Sequence, residues 1–95
     1  MSFSTIDPRL NEWVARRGLH LYTSYKDEPV RSLEIVNSAG KKAQLWIDPE
    51  DPSGRVHVHV WDYSHRRRDL EGELLDIDKL LEEAFRLAEE WLGMN

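Results

Sequence analysis

The stretch Arg55-Val-His-Val-His-Val-Trp61 constrains this chain more than any other. Successive side chains of an extended strand point to opposite faces. Val56, Val58 and Val60 therefore share one side, and Arg55, His57, His59 and Trp61 share the other. β-Branched residues on one face ask for burial, while the opposite set carries charge, imidazole and indole. This is a strand in a sheet with one core face and one open face, and an all-helical fold is excluded.

Neighbouring segments repeat the pattern. Residues 42–48 set Ala43, Leu45 and Ile47 against Lys42, Gln44 and Trp46, and residues 30–37 set Leu33 and Ile35 against Ser32, Glu34 and Val36. From Leu19 onward, Leu19, Leu21, Thr23 and Tyr25 alternate with His20, Tyr22, Ser24 and Lys26. Turn chemistry separates these strands at Asp27-Glu28-Pro29, at Ser38-Ala39-Gly40 and across Pro49–Gly54. A fifth strand over Arg66–Glu71, following a turn at Tyr63-Ser64-His65, competes with helical fraying as a reading of that segment. The ends of the chain have helical spacing. Ile6, Leu10, Trp13 and Val14 line one stripe of a helix over 7–17, with Asp7 as N-cap, Pro8 at its first position and Gly18 as its stop. Ile77, Leu80, Leu81, Ala84, Phe85, Ala88, Trp91 and Leu92 mark a C-terminal helix with Asp76 as N-cap and Gly93 as its end.

Pairing consecutive strands as hairpins places every aliphatic row on one face. Loop lengths put Ala43 opposite Val60, Leu45 opposite Val58 and Ile47 opposite Val56, with Leu70 beside Val58 if the fifth strand forms. A five-stranded sheet is about 20 Å wide and one helix about 10 Å, so both helices are needed to cover it. The expected architecture is an α+β two-layer sandwich. It has an antiparallel meander of four or five strands, and its N-terminal and C-terminal helices lie on one face.

With 95 residues, the chain reads as a single α+β domain over 1–95. It has no cysteine, which excludes disulfide frameworks, thiolate nucleophiles and cysteine-rich zinc sites. Its apolar runs are too short for a membrane span, and residues 1–7 lack the basic and apolar regions of a secretion signal, so the expected location is cytoplasmic. The formal net charge is −5. Residues 70–95 carry eight acids against two bases, and residues 55–69 carry four arginines against two acids.

The open face would display Tyr22, Trp46, Trp61, His20, His57, His59, Lys42, Gln44 and Glu34, with Asp69 close to His59 and Arg67 close to Trp61. His57-x-His59 can bring two imidazoles to one metal ion. A third ligand is missing, because His20 lies three strands away, about 14 Å by strand spacing. No metal and no cofactor are expected. His59 with Asp69 has the form of an oriented general base, but no nucleophile or phosphate-cradling loop accompanies it, so no catalytic residue is assigned. Arg66-Arg67-Arg68 beside aromatic residues suits single-stranded nucleic acid, yet three consecutive strand residues alternate in direction and the acidic C-terminal segment repels phosphate, which disfavours that partner.

Tryptophan, tyrosine and arginine dominate the energetics of protein interfaces. The resulting expectation is a non-enzymatic protein-interaction domain that binds another protein or itself as a homodimer. Its binding residues would be Tyr22, Trp46, His57, His59, Trp61 and Arg67. In size and charge the chain resembles bacterial immunity proteins and other small protein inhibitors, a resemblance that also implies a partner protein. The alternative is a small-ligand-binding or catalytic domain centred on His57 and His59.

Overall fold

The computed structural model describes residues 2–94. In chain order the elements are α1 (Asp7–Arg17), β1 (Tyr22–Tyr25), β2 (Glu28–Val36), β3 (Lys42–Ile47), β4 (Arg55–Trp61), β5 (Arg67–Glu73), a single 3₁₀ turn (Leu74–Asp76) and α2 (Ile77–Trp91). All five strands form one antiparallel sheet in the order β1-β2-β3-β4-β5. The architecture is the expected α+β meander, with a helix at each end of the chain. β5 is present and extends to Glu73, so the segment after the Tyr63–His65 turn is a strand and not a frayed helix.

The core face is the valine row of β4 together with its continuation into the neighbouring strands. Leu33, Ala43, Leu45, Val56, Val58 and Val60 are all fully buried. Both helices cover this face. Ile6, Leu10 and Trp13 approach it from the α1 side, and Ile77, Leu81 and Ala84 from α2. The two helices meet where the Trp13 and Phe85 rings pack edge to face at 5.9 Å, and the Trp13 indole N–H donates to Glu82 Oε1 at 3.0 Å. Gly72 lies in β5 directly under α2. A side chain there would come within 3.2 Å of Leu80, so glycine lets the helix lie close to the sheet. No polar or charged residue is buried among the described residues.

Three local expectations are corrected. The β3–β4 pairs are Leu45 with Val60 and Ile47 with Val58, displaced by two residues from the register that loop length suggested. The hairpin closes on Asp51–Gly54 and not on the whole stretch 49–54. Asp51 N–H donates to the Arg55 carbonyl, and Gly54 adopts a φ of 83°. Moving the pivot of a hairpin by one residue moves every pair by two, which preserves the faces and changes the partners. Asp7 is not the cap of α1. Ile6 occupies that position, and Asp7 is the first helical residue. Its carboxylate instead meets the guanidinium of Arg31, with Nε donating at 2.7 Å and Nη2 at 3.0 Å. Arg31 lies in the same β2 row as Leu33, at the margin of the core, where an uncompensated charge is costly. Finally, the β1–β2 turn is Lys26-Asp27, both at positive φ (50° and 67°), so Glu28 and Pro29 already belong to β2. Two successive left-handed residues are what a tight hairpin needs to match strand twist.

Candidate functional site

The uncovered face of the sheet is organised by cross-strand rows. One row runs Tyr22, Ser32, Trp46, His59, Asp69, and the next runs Glu34, Gln44, Trp61, Arg67. All six residues expected to bind, Tyr22, Trp46, His57, His59, Trp61 and Arg67, lie on this face, but the structure divides them into three groups.

The first group centres on His59. Its ring stacks on Trp46 with centroids 4.8 Å apart and planes 22° from parallel. Nδ1 lies 2.6 Å from Asp69 Oδ1, and Nε2 lies 2.8 Å from Asp48 Oδ2. Arg67 donates through Nε to the same Asp69 oxygen at 3.1 Å, and its guanidinium carbon sits 5.2 Å from the centroid of the Trp46 ring. The hydrogen bond from His59 is the main cause that holds the Asp69 carboxyl below its ordinary range. Burial opposes it, and Arg67 adds to the lowering. The expected His59–Asp69 pair is therefore formed, but Asp48 faces the second ring nitrogen. Ionised carboxylates only accept hydrogen bonds, so a ring held between two of them presents no free nitrogen to a substrate proton.

The second group is His57, whose Nε2 lies 3.0 Å from Asp51 Oδ2 and whose Nδ1 lies 3.8 Å from Glu71 Oε2. Asp51 also accepts from the Ser53 hydroxyl at 2.6 Å and from the Ser53 and Arg55 backbone N–H groups. These contacts, Ser53 first and His57 second, hold its carboxyl far below the ordinary carboxylate range. The two histidines thus turn to separate carboxylate partners. Among the described residues no three His, Cys, Asp or Glu side chains are arranged to share a metal ion.

The third group is a cleft of about 590 Å³ lined by Tyr22, Ser24, Tyr25, Val30, Ser32, Glu34, Gln44, Trp61 and Tyr63. Tyr63, which the sequence places only in a turn, is one of the residues that line this cleft. Its φ of 66° is an unusual conformation for a bulky residue. That backbone carries the ring back over the sheet to 4.8 Å from Trp61, and the hydroxyl donates to Glu34 Oε2 at 2.5 Å. Partial burial, and then the Glu34 carboxylate, push the Tyr63 hydroxyl well above its ordinary pKa. Asp62, the residue before it, fixes the turn by accepting the N–H groups of Ser64, His65 and Arg66. These backbone contacts outweigh the effect of burial and lower the Asp62 pKa.

Tyr63, Asp48 and Asp51 are members of this face that sequence reasoning did not single out, and Glu34 was placed on it without a role. Asp51 had a detectable signal, since Asp-Pro-Ser-Gly is an Asx-turn composition. The inward turn of Tyr63 had none. Among the described residues no helix is long and apolar enough to cross a membrane. No family model, no curated protein and no solved structure matches this chain.

Proposed function

We propose that this protein is a non-enzymatic interaction domain that docks another protein on the open face of its sheet. The observation that carries this reading is the one-sided cover of the sheet. Both helices pack against the aliphatic face, while the opposite face carries Trp46 stacked on His59 and sets Tyr22, Trp61 and Tyr63 around a cleft that no other described residue fills. Aromatic side chains provide large contact areas at low entropic cost, and they centre the hot spots of protein interfaces. Among the described residues neither His57 nor His59 has a hydroxyl nucleophile within hydrogen-bond distance, so the catalytic alternative centred on them has less support. A cytoplasmic encounter, with a partner protein or with a second copy, belongs to the same reading.

The test is affinity capture from native lysate together with sedimentation equilibrium, on the parent, on Trp46→Ala/Trp61→Ala and on Glu83→Lys/Glu89→Lys. Glu82 is left in place because it holds the Trp13 indole. The tryptophan variant should lose a bound partner or self-association that the glutamate variant keeps. Loss in the glutamate variant alone would move the docking surface to the acidic helix.

A further inference from the structure

The geometry points to the cleft between Tyr22, Trp61 and Tyr63 as a receptor for an arginine side chain presented by a basic segment of the partner. This inference rests on the interaction reading and specifies its chemistry. Of the residues that line the cleft only Glu34 is charged, and the others are aromatic, aliphatic, hydroxyl or amide side chains. One Glu34 oxygen, Oε2, accepts the Tyr63 hydroxyl, whereas Oε1 accepts no hydrogen bond among the described residues. A cleft lined by three tyrosines, a tryptophan and one half-satisfied carboxylate is complementary to a cation, because an aromatic π-system and an anion attract the same charge. The combination of aromatic rings and a carboxylate favours guanidinium over ammonium. A planar guanidinium can stack on an indole or phenol ring while its fork of N–H donors reaches a carboxylate, and an ammonium is a strongly hydrated point charge.

The same sheet face already shows this mode of binding. Arg67 places its guanidinium over Trp46 and donates to Asp69, an aromatic-plus-carboxylate arrangement built from the neighbouring row. The surroundings extend the attraction. The net charge of the chain is −5, and Asp48, Asp51, Asp69 and Glu71 lie further along the face; His57, His59, Arg55 and Arg67 already partner them, so what they add for a basic segment is long-range attraction and not vacant pairing sites. Tyr63 then has a definite role. Its strained turn is held by Asp62, and such strain is characteristic of positions whose placement serves binding.

The experiment titrates ¹⁵N-labelled protein with the capped tripeptide acetyl-Gly-Arg-Gly-amide and follows the Trp61 indole N–H, with the matched citrulline and lysine tripeptides as neutral and ammonium controls. The arginine peptide should shift that signal saturably, with a dissociation constant on the order of 1 mM for so small a probe. The citrulline peptide should leave it unmoved, and the lysine peptide should bind more weakly. Glu34→Gln should weaken arginine binding about tenfold, as loss of a charge-assisted pair does. Tyr63→Ala should abolish binding, while Tyr63→Phe keeps the ring, frees the carboxylate and retains binding. Equal shifts from arginine and citrulline, or unchanged affinity in Glu34→Gln, would overturn the assignment. If the arginine peptide fails while Trp46→Ala/Trp61→Ala still releases a captured partner, the face docks proteins by other chemistry. If both fail, the interaction reading falls with it.

Discussion

Leu45 and Trp46 are neighbours in β3, and they take part in two different kinds of construction. Leu45 is fully buried in a layer that contains only aliphatic side chains along β3 and β4, and any register that preserves parity would keep that layer aliphatic. Trp46 faces a layer of specific pairs, in which stacking on His59 depends on one register alone. A slip of two residues would leave the core face unchanged in character, but it would bring His57 opposite Trp46 and separate His59 from Asp48. The aliphatic face thus supplies the driving force for folding with little information about alignment. The alignment comes from the polar face and from the Asp51–Gly54 turn.

The largest expected effect follows from placing a charge on each face of β4. Val58 is fully buried between Ile47 and Leu70. Val58→Asp should leave the protein unfolded, because an unpaired buried carboxylate costs an amount comparable to a domain's whole stability of about 5–15 kcal/mol. His59→Gln should remain folded, losing no more than about 3 kcal/mol for its charged hydrogen bonds. His59→Asp is not an equivalent control, since it would set a third carboxylate between Asp48 and Asp69. Circular dichroism melts decide the matter, and a folded Val58→Asp would break the assignment of faces.

A smaller effect compares one residue type on the two faces. Trp13 is 1% exposed beneath the sheet, and Trp61 is half-buried on the open side. Trp13→Ala should cost about 3–5 kcal/mol in urea unfolding, and Trp61→Ala about 1 kcal/mol, the value of an aromatic pair beyond simple burial. Equal losses would mean that the open face is a second core.

The smallest effect is pH dependence, which the charge-free core confines to exposed networks such as that of the open face. The Asp51 and Asp69 carboxyls are held below their ordinary value of 3.8. A carboxyl lowered in the folded state contributes stability that is complete above the unfolded value and is lost as pH falls through the folded one. Asp51→Asn keeps an acceptor for the Ser53 and Arg55 N–H groups but removes the charge. The gap in melting temperature between parent and variant should therefore hold steady above pH 3.8 and close below it. A gap that is constant down to pH 2 would show that the charge contributes nothing.

Much of this molecule was legible from periodicity. The Val56-Val58-Val60 row, the stripes of both helices and the open-face membership of β2–β5 need only the direction of each side chain, which alternation and helical spacing encode. In β1 a register shift between Tyr22 and Ser24 breaks the alternation, and Tyr25 lines the open-face cleft although the sequence sets it with Leu19, Leu21 and Thr23. The pairing of His59 with Asp69 was legible for the same reason, because the short Tyr63–His65 turn fixes the β4–β5 register. The β3–β4 register was not, since it depends on where within Pro49–Gly54 the backbone reverses, and Asp51 settles this through contacts that spacing does not reveal. The cleft was illegible for a related reason. Tyr63 enters it only because its backbone takes a positive φ, a state that its residue type disfavours and that the Asp62 contacts impose.

The division of labour between the two faces is tested most directly by urea unfolding of Leu45→Ala and Trp46→Ala, adjacent residues that point to opposite sides. Leu45→Ala should lose about 2–5 kcal/mol, as truncations in a packed core do, and Trp46→Ala less than about 1.5 kcal/mol although it removes more atoms. A loss in Trp46→Ala equal to or greater than that in Leu45→Ala would contradict the account.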